Sequence, residues 1–159
     1  MRRFYEAEIN GDLTAIYQLV AGVEKWPDLF PHVLAADVLW EDADVRVARV
    51  RVSRSGIPLA WVCRLEIDPS GPRVHVDHID GFARGLRADW KFERLPQRRT
   101  RVRLVTDYHT RLPTRDRLIT RYVLDDLVTR TLAMITLLAE SDRAAHELFV
   151  PGVDDGARR

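Results

Sequence analysis

The first thirty residues change their spacing of apolar positions twice. In segment 3–9, aromatic and apolar residues alternate with glutamates, which is the period of a half-buried β-strand. An Asn-Gly-Asp turn follows, and from Thr14 the apolar positions have helical spacing, with Asp12 or Thr14 as the N-cap. Pro27 and Pro31 then limit the chain to a short, bent helical connector, because each proline lacks an amide donor and restricts the residue before it.

Six strand-like runs follow at short and regular spacing, each closed by residues typical of turns. They are 33–41, 44–53, 57–68, 72–80, 85–95 and 100–112. Strands joined by such short turns pair in antiparallel fashion, since a parallel pair needs a crossover of a dozen residues or more. Together with segment 3–9, they predict a seven-stranded antiparallel meander.

The last element differs in kind from the strands. From Thr114 to about His146 the chain has neither glycine nor proline, and its apolar residues recur at helical spacing. This pattern predicts one amphipathic helix of roughly 30 residues, about 45 Å long. We therefore expect a single α+β domain over residues 1–150 and a flexible tail over residues 151–159.

Strand alternation indicates which side chains point into the space between sheet and helix. The inner set is mainly apolar but also holds aromatic and polar side chains, namely Trp61, Cys63, His78, Trp90, Thr106 and Tyr108. A curved sheet covered by a single helix is difficult to fill with side chains, so we expect an elongated apolar pocket that holds a hydrophobic small molecule. The same residues are equally consistent with a solid core.

Four short segments carry a family resemblance. They are Val23–Phe30 (V-E-K-W-P-D-L-F), Trp61-Val62-Cys63, the stretch from Gly81 to Trp90, and Thr129-Arg130. With the order of elements described above, the sequence resembles the START-like (SRPBCC, helix-grip) superfamily and, within it, the single-domain polyketide aromatase/cyclases. The resemblance covers about residues 3–143.

The resemblance implies a helix-grip fold, in which a seven-stranded antiparallel sheet wraps around the long C-terminal helix and two short helices follow the first strand. It also implies a polyketide cyclase/dehydrase without a cofactor, which folds a carrier-tethered poly-β-ketone in its pocket and promotes aldol cyclisation and dehydration. Quinone-binding and lipid-carrier relatives share Trp26-Pro27 and a phrase similar to residues 90–95. A non-catalytic carrier or sensor of a lipid or quinone is therefore the alternative.

In the characterised aromatase/cyclases, an inner arginine lies two positions past the Ser/Cys strand position, and a tyrosine lies in the loop after the Trp-Pro helix. This sequence has Leu65 and Val33 at those positions. Aldol chemistry needs a base near the acidic methylene, a donor that polarises the carbonyl and an acid for loss of water. We expect His78 and Tyr108 to be the catalytic groups, although each is also explained as a structural core residue.

The substrate-binding residues that we expect come from the connector and from the inner faces of the strands. They are Trp26, Phe30, His32, Trp61, Cys63, Leu65, Leu86, Trp90 and Thr106. The connector residues are placed at the pocket mouth, and ordinary core packing is the rival explanation for all of them. Cys63 is interpreted as a small wall residue rather than a nucleophile, because no cation on its own face would lower its pKa.

Composition narrows the classes of partner. The chain has 25 Lys plus Arg against 24 Asp plus Glu, so it has no long-range field for an anionic polymer, and we expect no nucleic-acid partner. No window approaches about 18 uninterrupted apolar residues, so no membrane span is expected. The single cysteine makes a cytoplasmic location the default.

His75 and His78 fall on opposite faces of one strand, which argues against a metal site.

Outer-face arginines are the last candidate feature of the sequence. They are Arg98, Arg99, Arg101, Arg103, Arg111 and Arg115. Such a row suits an acidic acyl carrier protein, but a solvated sheet face is the commoner explanation. An interaction protein of the ribosome-associated toxin type shares the helix-grip fold. The near-neutral charge argues against RNA as the partner in that case, though not against a protein.

Overall fold

The computed structural model describes residues 2–109 and 114–148, apart from the side chains of residues 114–120 and 143–148. The elements are β1 (Arg2–Asn10), α1 (Leu13–Ala21), a 3-10 turn (Val23–Lys25), α2 (Trp26–Leu29), β2 (Val33–Asp42), β3 (Val45–Arg54), β4 (Ile57–Asp68), β5 (Arg73–Gly81), β6 (Leu86–Leu95), β7 (Arg99–Tyr108) and α3 (Thr114–Leu148). This order confirms the predicted elements. β7 ends at Tyr108, earlier than predicted, and residues 110–112 and the expected tail 151–159 lie outside the described residues.

The seven strands form one antiparallel sheet in the order β1-β7-β6-β5-β4-β3-β2. Strands β2 to β7 pair with their neighbours in sequence, as a meander does, and β1 closes against the last strand. The predicted fold class, an antiparallel sheet with a long C-terminal helix and two short helices after the first strand, is confirmed. No helix in the described residues is long and apolar enough to span a bilayer.

Alternation along the strands correctly predicts the inner face of the sheet. Trp61, Cys63 and Leu65 are buried on β4, whereas Arg64 between them is exposed. The register then aligns inner residues across strands, as in the pair Trp90 and Leu104 on β6 and β7. Neighbouring inner side chains of this kind form the wall on which the helices pack.

Helix α1 begins where the sequence indicates. Asp12 is its N-cap, and the carboxylate of Asp12 accepts a hydrogen bond from the backbone N–H of Thr14 at 3.0 Å. The helix buries Ile16, Tyr17 and Val20 against the sheet. It thereby closes one end of the inner face, and the remainder of that face is left to α3.

Helix α3 lies along the inner face and is held on both flanks. Its buried stripe consists of Val123, Leu124, Leu127, Ile135 and Ala139. On one flank, Asp125 accepts a hydrogen bond from the Tyr5 hydroxyl at 2.6 Å and pairs with Arg3 at 3.2 Å. On the other flank, Asp126 pairs with Arg54 of β3 at 3.2 Å. Partly exposed ion pairs contribute about 0–1 kcal/mol each, so we assign these contacts to the placement of the helix and its apolar stripe to stability.

Gly81 supplies a prediction about the turn that follows β5. Both Gly81 and Gly56 have φ of +80°, but a Cβ at Gly81 would overlap the carbonyl oxygen of Ala60, whereas a Cβ at Gly56 meets nothing within 4 Å. Left-handed backbone costs a non-glycine residue about 1–2 kcal/mol. We expect Gly56→Ala to lower the free energy of unfolding by that amount and Gly81→Ala to lower it further, as measured by urea denaturation. Equal losses in the two variants would contradict this packing of β4 against the turn.

Candidate functional site: an apolar cavity beneath the long helix

A cavity of about 100 Å³ lies between the inner face of the sheet and α3. Its wall is formed mainly by aliphatic and aromatic side chains, including Val20 of α1, Val50 of β3 and Leu127 of α3. The connector closes one end with Trp26 and Phe30. The predicted pocket therefore exists, and the interior is not a solid core.

The structure brings most of the expected site residues to this cavity. Those on its wall are Trp26, Phe30, His32, Trp61, His78, Leu86, Trp90 and Thr106. Cys63 and Leu65 are fully buried but are not on the wall. Tyr108 lines a smaller adjacent pocket, which shares Leu86 and Thr106 with the main cavity. Strand parity identified the correct face for these three residues but not their position along it.

Sequence reasoning did not identify the wall contributed by α3. Leu124, Leu127, Val128 and Thr131 all line the cavity. They follow the i, i+3, i+4, i+7 spacing that a helix uses for one face. That spacing was visible in the sequence, but an amphipathic stripe does not reveal which of its members meet side chains and which meet empty space.

His78 is the most chemically active group of the cavity wall. Its Nδ1 lies 3.0 Å from the carbonyl oxygen of Leu86, and since a carbonyl only accepts, Nδ1 carries the proton and Nε2 keeps a lone pair. Burial lowers the pKa of His78 to about 4, because the protein interior disfavours the charged imidazolium. At neutral pH the cavity therefore contains a neutral imidazole of fixed tautomer.

A β-bulge determines where the inner row of β5 ends. Cys63 of β4 pairs with His78, but Val62 pairs with Asp80, so Ile79 is the extra residue. Ile79 is 47% exposed, and Asp80, which alternation alone would place on the inner face, lies opposite Val62 of the outer face. A bulge bends its strand and re-aims the neighbouring side chains. His78 is thus the last inner residue of β5 before the chain turns away at Gly81.

Trp61 provides a hydrogen-bond donor beside His78. The two ring centroids are 5.7 Å apart at an angle of 57°. Trp61 is only 8% exposed, and its Nε1–H has no partner among the residues that the structure describes. A buried donor without a partner costs about 1–3 kcal/mol, so an acceptor that reached this N–H would be favoured. The Trp61 and His78 rings thus lie side by side on one wall of the cavity.

A second polar group lies at the connector end of the cavity. The Thr131 hydroxyl donates to the carbonyl of Leu127 at 2.9 Å and lies 3.2 Å from His32 Nε2. Because the single hydroxyl hydrogen is already used, Nε2 of His32 must be the donor in that contact. Burial, with a contribution from Arg130, lowers the pKa of His32. This histidine is also neutral at pH 7, but its Nε2 is occupied.

The remaining candidates do not add chemistry to the cavity. Burial raises the pKa of the Cys63 thiol to about 12, so Cys63 is not a thiolate nucleophile at neutral pH. His75 lies on the opposite face of β5 from His78, where its Nδ1 is 2.5 Å from Asp89 and its Nε2 is 3.3 Å from Asp77. The two histidines therefore do not form one site.

The outer arginines are largely neutralised. Arg99 pairs with Glu8 at 3.2 Å, and Arg103 pairs with Glu6 at 2.7 Å. Arg101 between them contacts Glu8 at 2.8 Å and is also close to Glu6 and Glu93. Cross-strand pairs of opposite charge stabilise a solvated sheet face. The Arg111 and Arg115 side chains lie outside the described residues.

Comparison with known proteins identifies the family. A family model for polyketide cyclases/dehydrases and lipid transport proteins matches residues 9–125. The chain belongs to this family. The match covers most of the sheet and the start of α3. It therefore includes the connector and most of the strands that form the cavity of this polyketide cyclase/dehydrase family member.

Two solved structures show the same fold. The Zhui aromatase/cyclase from Streptomyces sp. R1128 is similar at a TM-score of 0.74 and 20% identity, with 96% of this chain and 98% of that one covered. A START superfamily protein from Mycobacterium smegmatis is similar at a TM-score of 0.74 and 14% identity, with 88% and 97% covered. The resemblance to START-like aromatase/cyclases is thereby confirmed at the level of the fold.

A curated relative carries a different kind of name. The ribosome association toxin RatA from Escherichia coli strain K12 is 28% identical over 93 residues, which is 58% of this chain and 58% of the relative. The chain thus spans less than two thirds of the length of this relative. The match is consistent with the shared fold.

The burial of His78 generates a pH prediction. Its folded pKa of about 4 is below the ordinary value of 6.5, so in that interval the unfolded chain binds a proton that the folded chain does not. The free energy of unfolding should therefore fall as the pH is lowered from about 6.5 towards 4. His78→Gln should remove this part of the pH dependence, as measured by urea denaturation at several pH values.

His75 is the matched control for that measurement. Burial acts against its charged form, but the pairing with Asp89 and Asp77 outweighs this effect and raises the pKa of His75. The contribution of His75 to the free energy of unfolding is therefore present at low pH and is lost as the pH rises through the raised pKa. His75→Gln should retain the loss of unfolding free energy that His78 causes at acidic pH. Retention of that loss in His78→Gln would contradict the desolvation of His78.

Proposed function

We propose that this protein binds a compact poly-β-ketone or aromatic intermediate in the cavity and promotes aldol cyclisation and dehydration. The observation that carries the proposal is the pair formed by Trp61, whose N–H has no partner among the described residues, and the neutral His78 imidazole in a mainly apolar wall. A few polar groups converging in an apolar pocket are typical of a small-molecule site. Membership of the polyketide cyclase/dehydrase family supports the choice of reaction.

The chemistry assigns one role to each group. Nε2 of His78 accepts a proton from the methylene between two carbonyls, and the resulting carbanion forms a carbon–carbon bond with a second carbonyl. The Trp61 N–H donates to the oxygen on which negative charge develops. The imidazolium returns its proton to this alkoxide. In the dehydration, His78 removes a second α-proton and delivers a proton to the departing hydroxyl, so that water leaves and the imidazole is regenerated.

The low pKa of His78 biases this cycle towards its acid steps. A pKa of about 4 makes the imidazole a weak base and the imidazolium a strong acid. A nearby enolate or alkoxide would raise this pKa by favouring the charged ring. At neutral pH the ring is therefore protonated mainly beside the oxyanion that it then protonates, which suits its role as the acid for loss of water.

Cavity size restricts the substrate. Pockets for drug-sized ligands enclose about 300–1,000 Å³, whereas this cavity encloses about 100 Å³. A cavity of this size suits a single ring rather than a fused ring system. A longer chain requires that its remainder leave through an opening or that α3 move away from the sheet.

A non-catalytic carrier of a hydrophobic molecule such as a lipid or quinone is the second candidate function. It is favoured by Leu65, which occupies the position where aromatase/cyclases have an arginine, is 0% exposed and does not reach the cavity. No guanidinium therefore lies among the cavity-lining residues that the structure describes. Val33, at the expected tyrosine position, lines the cavity with an aliphatic side chain.

The charge pairing on the outer sheet face restricts the partners that can bind there. The glutamates that flank Arg99, Arg101 and Arg103 leave little net positive charge on this part of the sheet. We therefore propose that neither RNA nor the acidic face of a carrier protein docks on these three arginines. The name of the curated relative RatA concerns the ribosome, and the charge pairing of Arg99, Arg101 and Arg103 argues against an RNA partner on this face.

Replacement of His78 tests the enzyme directly. His78→Gln should lower the rate of cyclised product formation from a synthetic poly-β-ketone thioester by roughly 100-fold or more, the usual contribution of a general acid–base group. Trp61→Phe keeps an aromatic wall but removes the N–H, and we expect a smaller loss. Both rates are measured by chromatography of the products.

His75→Gln and Tyr108→Phe complete this experiment. His75 lies on the outer face of the same strand, so its variant should turn over at the wild-type rate. Tyr108 lines the adjacent pocket rather than the cavity, and we expect its variant to lose little activity. Unchanged turnover in His78→Gln would refute catalysis by this group. Binding of the thioester without turnover by any form would favour the carrier.

A further inference from the structure

A second, smaller pocket opens between β1, β7 and α3 beside the main cavity. It shares four wall residues with that cavity, namely Leu86, Thr106, Leu124 and Val128. Its other wall residues differ sharply in character, because they are Tyr108 and the charged side chains of Arg3, Arg121 and Asp125. A ligand that fills the cavity therefore has a polar neighbourhood immediately beyond Leu86 and Thr106.

The charges of this second pocket do not cancel. Arg3 Nε is 3.2 Å and Arg121 Nε is 3.7 Å from the same carboxylate oxygen of Asp125. Within the described part of the chain, Asp125 is the only acid paired with either arginine. Two guanidiniums thus share one carboxylate, and the cluster has a net charge of +1. An arginine can bind a carboxylate through two N–H groups at once, so each retains donors for an additional anion.

Tyr5 leaves this positive charge intact. Its hydroxyl donates to Asp125 Oδ1 at 2.6 Å, which fixes the carboxylate between the strand and the helix. Burial and the hydrogen bond to Asp125 raise the pKa of Tyr5 to about 12. The phenol therefore stays neutral at physiological pH and does not compensate the arginines. Thr106, which lines both pockets, connects the cluster to the cavity wall.

We propose that this pocket is a second mouth of the cavity and that Arg3 and Arg121 bind the carboxylate of an amphipathic ligand whose ring lies in the cavity. The inference rests on the proposed function, because it requires a ligand in the cavity, and it deepens that function by naming the ligand class as an aryl or polyketide carboxylic acid. The side chains of Arg3 and Arg121 are 39% and 30% exposed, so the attraction should weaken with salt.

Two small probes separate the carboxylate from the ring. 4-Acetylbenzoate and 4-methylacetophenone have the same aryl ketone, and only the first has a carboxylate. Calorimetry should give a dissociation constant at least tenfold lower for the acid than for the neutral ketone. Raising the salt concentration from 50 to 500 mM, which shortens the screening length several-fold, should weaken binding of the acid only.

Arg130 offers a matched control for Arg121. Both arginines lie on α3 and pair with an aspartate four positions away, at 3.0 Å for Arg130 and Asp126, but Arg130 does not line the second pocket. Arg121→Gln should abolish the preference for 4-acetylbenzoate and leave the affinity for 4-methylacetophenone unchanged, which also shows that the cavity is intact. Arg130→Gln should change neither.

The outcomes separate this inference from the function on which it rests. Equal affinities for the two probes in the wild-type protein, or equal effects of the Arg121 and Arg130 variants, would overturn the second mouth while the cavity site stands. Failure of both probes to bind the wild-type protein would overturn both proposals, because the cavity would then not accept an aryl ketone.

Discussion

The architecture depends on the packing of one helix against an inner sheet face that it does not fill. The apolar stripe of α3 removes Leu124, Leu127 and Ile135 from water, which is the main favourable contribution to its docking. Asp125 and Asp126 then hold the helix to β1 and β3, towards the two ends of the strand order. Because the helix is held at these two flanks, side chains do not fill all of the space between it and the sheet, and a cavity remains.

The packing of α3 over the cavity explains why the polar groups of the cavity wall are neutral. The side chains around the partly buried His78 limit its solvation, and this desolvation keeps the imidazole neutral. Among the described residues, the N–H of Trp61 on the same wall has no hydrogen-bond partner. Interactions with both groups would be stronger than in water because the surroundings are apolar. The fold thus supplies a mainly apolar compartment in which Trp61 and His78 lie side by side. None of the described side chains that line it is an arginine, lysine, aspartate or glutamate.

The sequence predicted the elements and faces of this fold more accurately than the details of the site. Alternation of apolar residues identified the inner position of Trp61 and His78, because side-chain direction in a strand depends only on parity. It did not reveal the bulge at Ile79, the tautomer of His78 or the missing partner of Trp61, since each depends on contacts with another strand. Cys63 and Leu65 were assigned to the pocket because parity does not locate the gap beneath α3.

The polar cluster at the second pocket was beyond sequence reasoning for a similar reason. Tyr5 and Asp125 are 120 positions apart, and no periodic pattern connects the first strand to a particular turn of the last helix. The outer arginines were visible as a row, but their pairing with glutamates of β1 and β6 depends on strand order. Patterns of local period predict elements, whereas sites depend on register.

The most direct test of the central claim is nuclear magnetic resonance of the indole N–H groups during titration with acetophenone. The chain has four tryptophans, of which Trp26, Trp61 and Trp90 line the cavity and Trp40 is 53% exposed on β2. If the cavity accepts an aryl ketone, the Trp61 indole proton should move downfield as it gains an acceptor, the Trp90 signal should shift, and the Trp40 signal should not. Shifts confined to Trp40, or unchanged Trp61 and Trp90 signals at saturating ketone, would contradict a ligand site beneath α3.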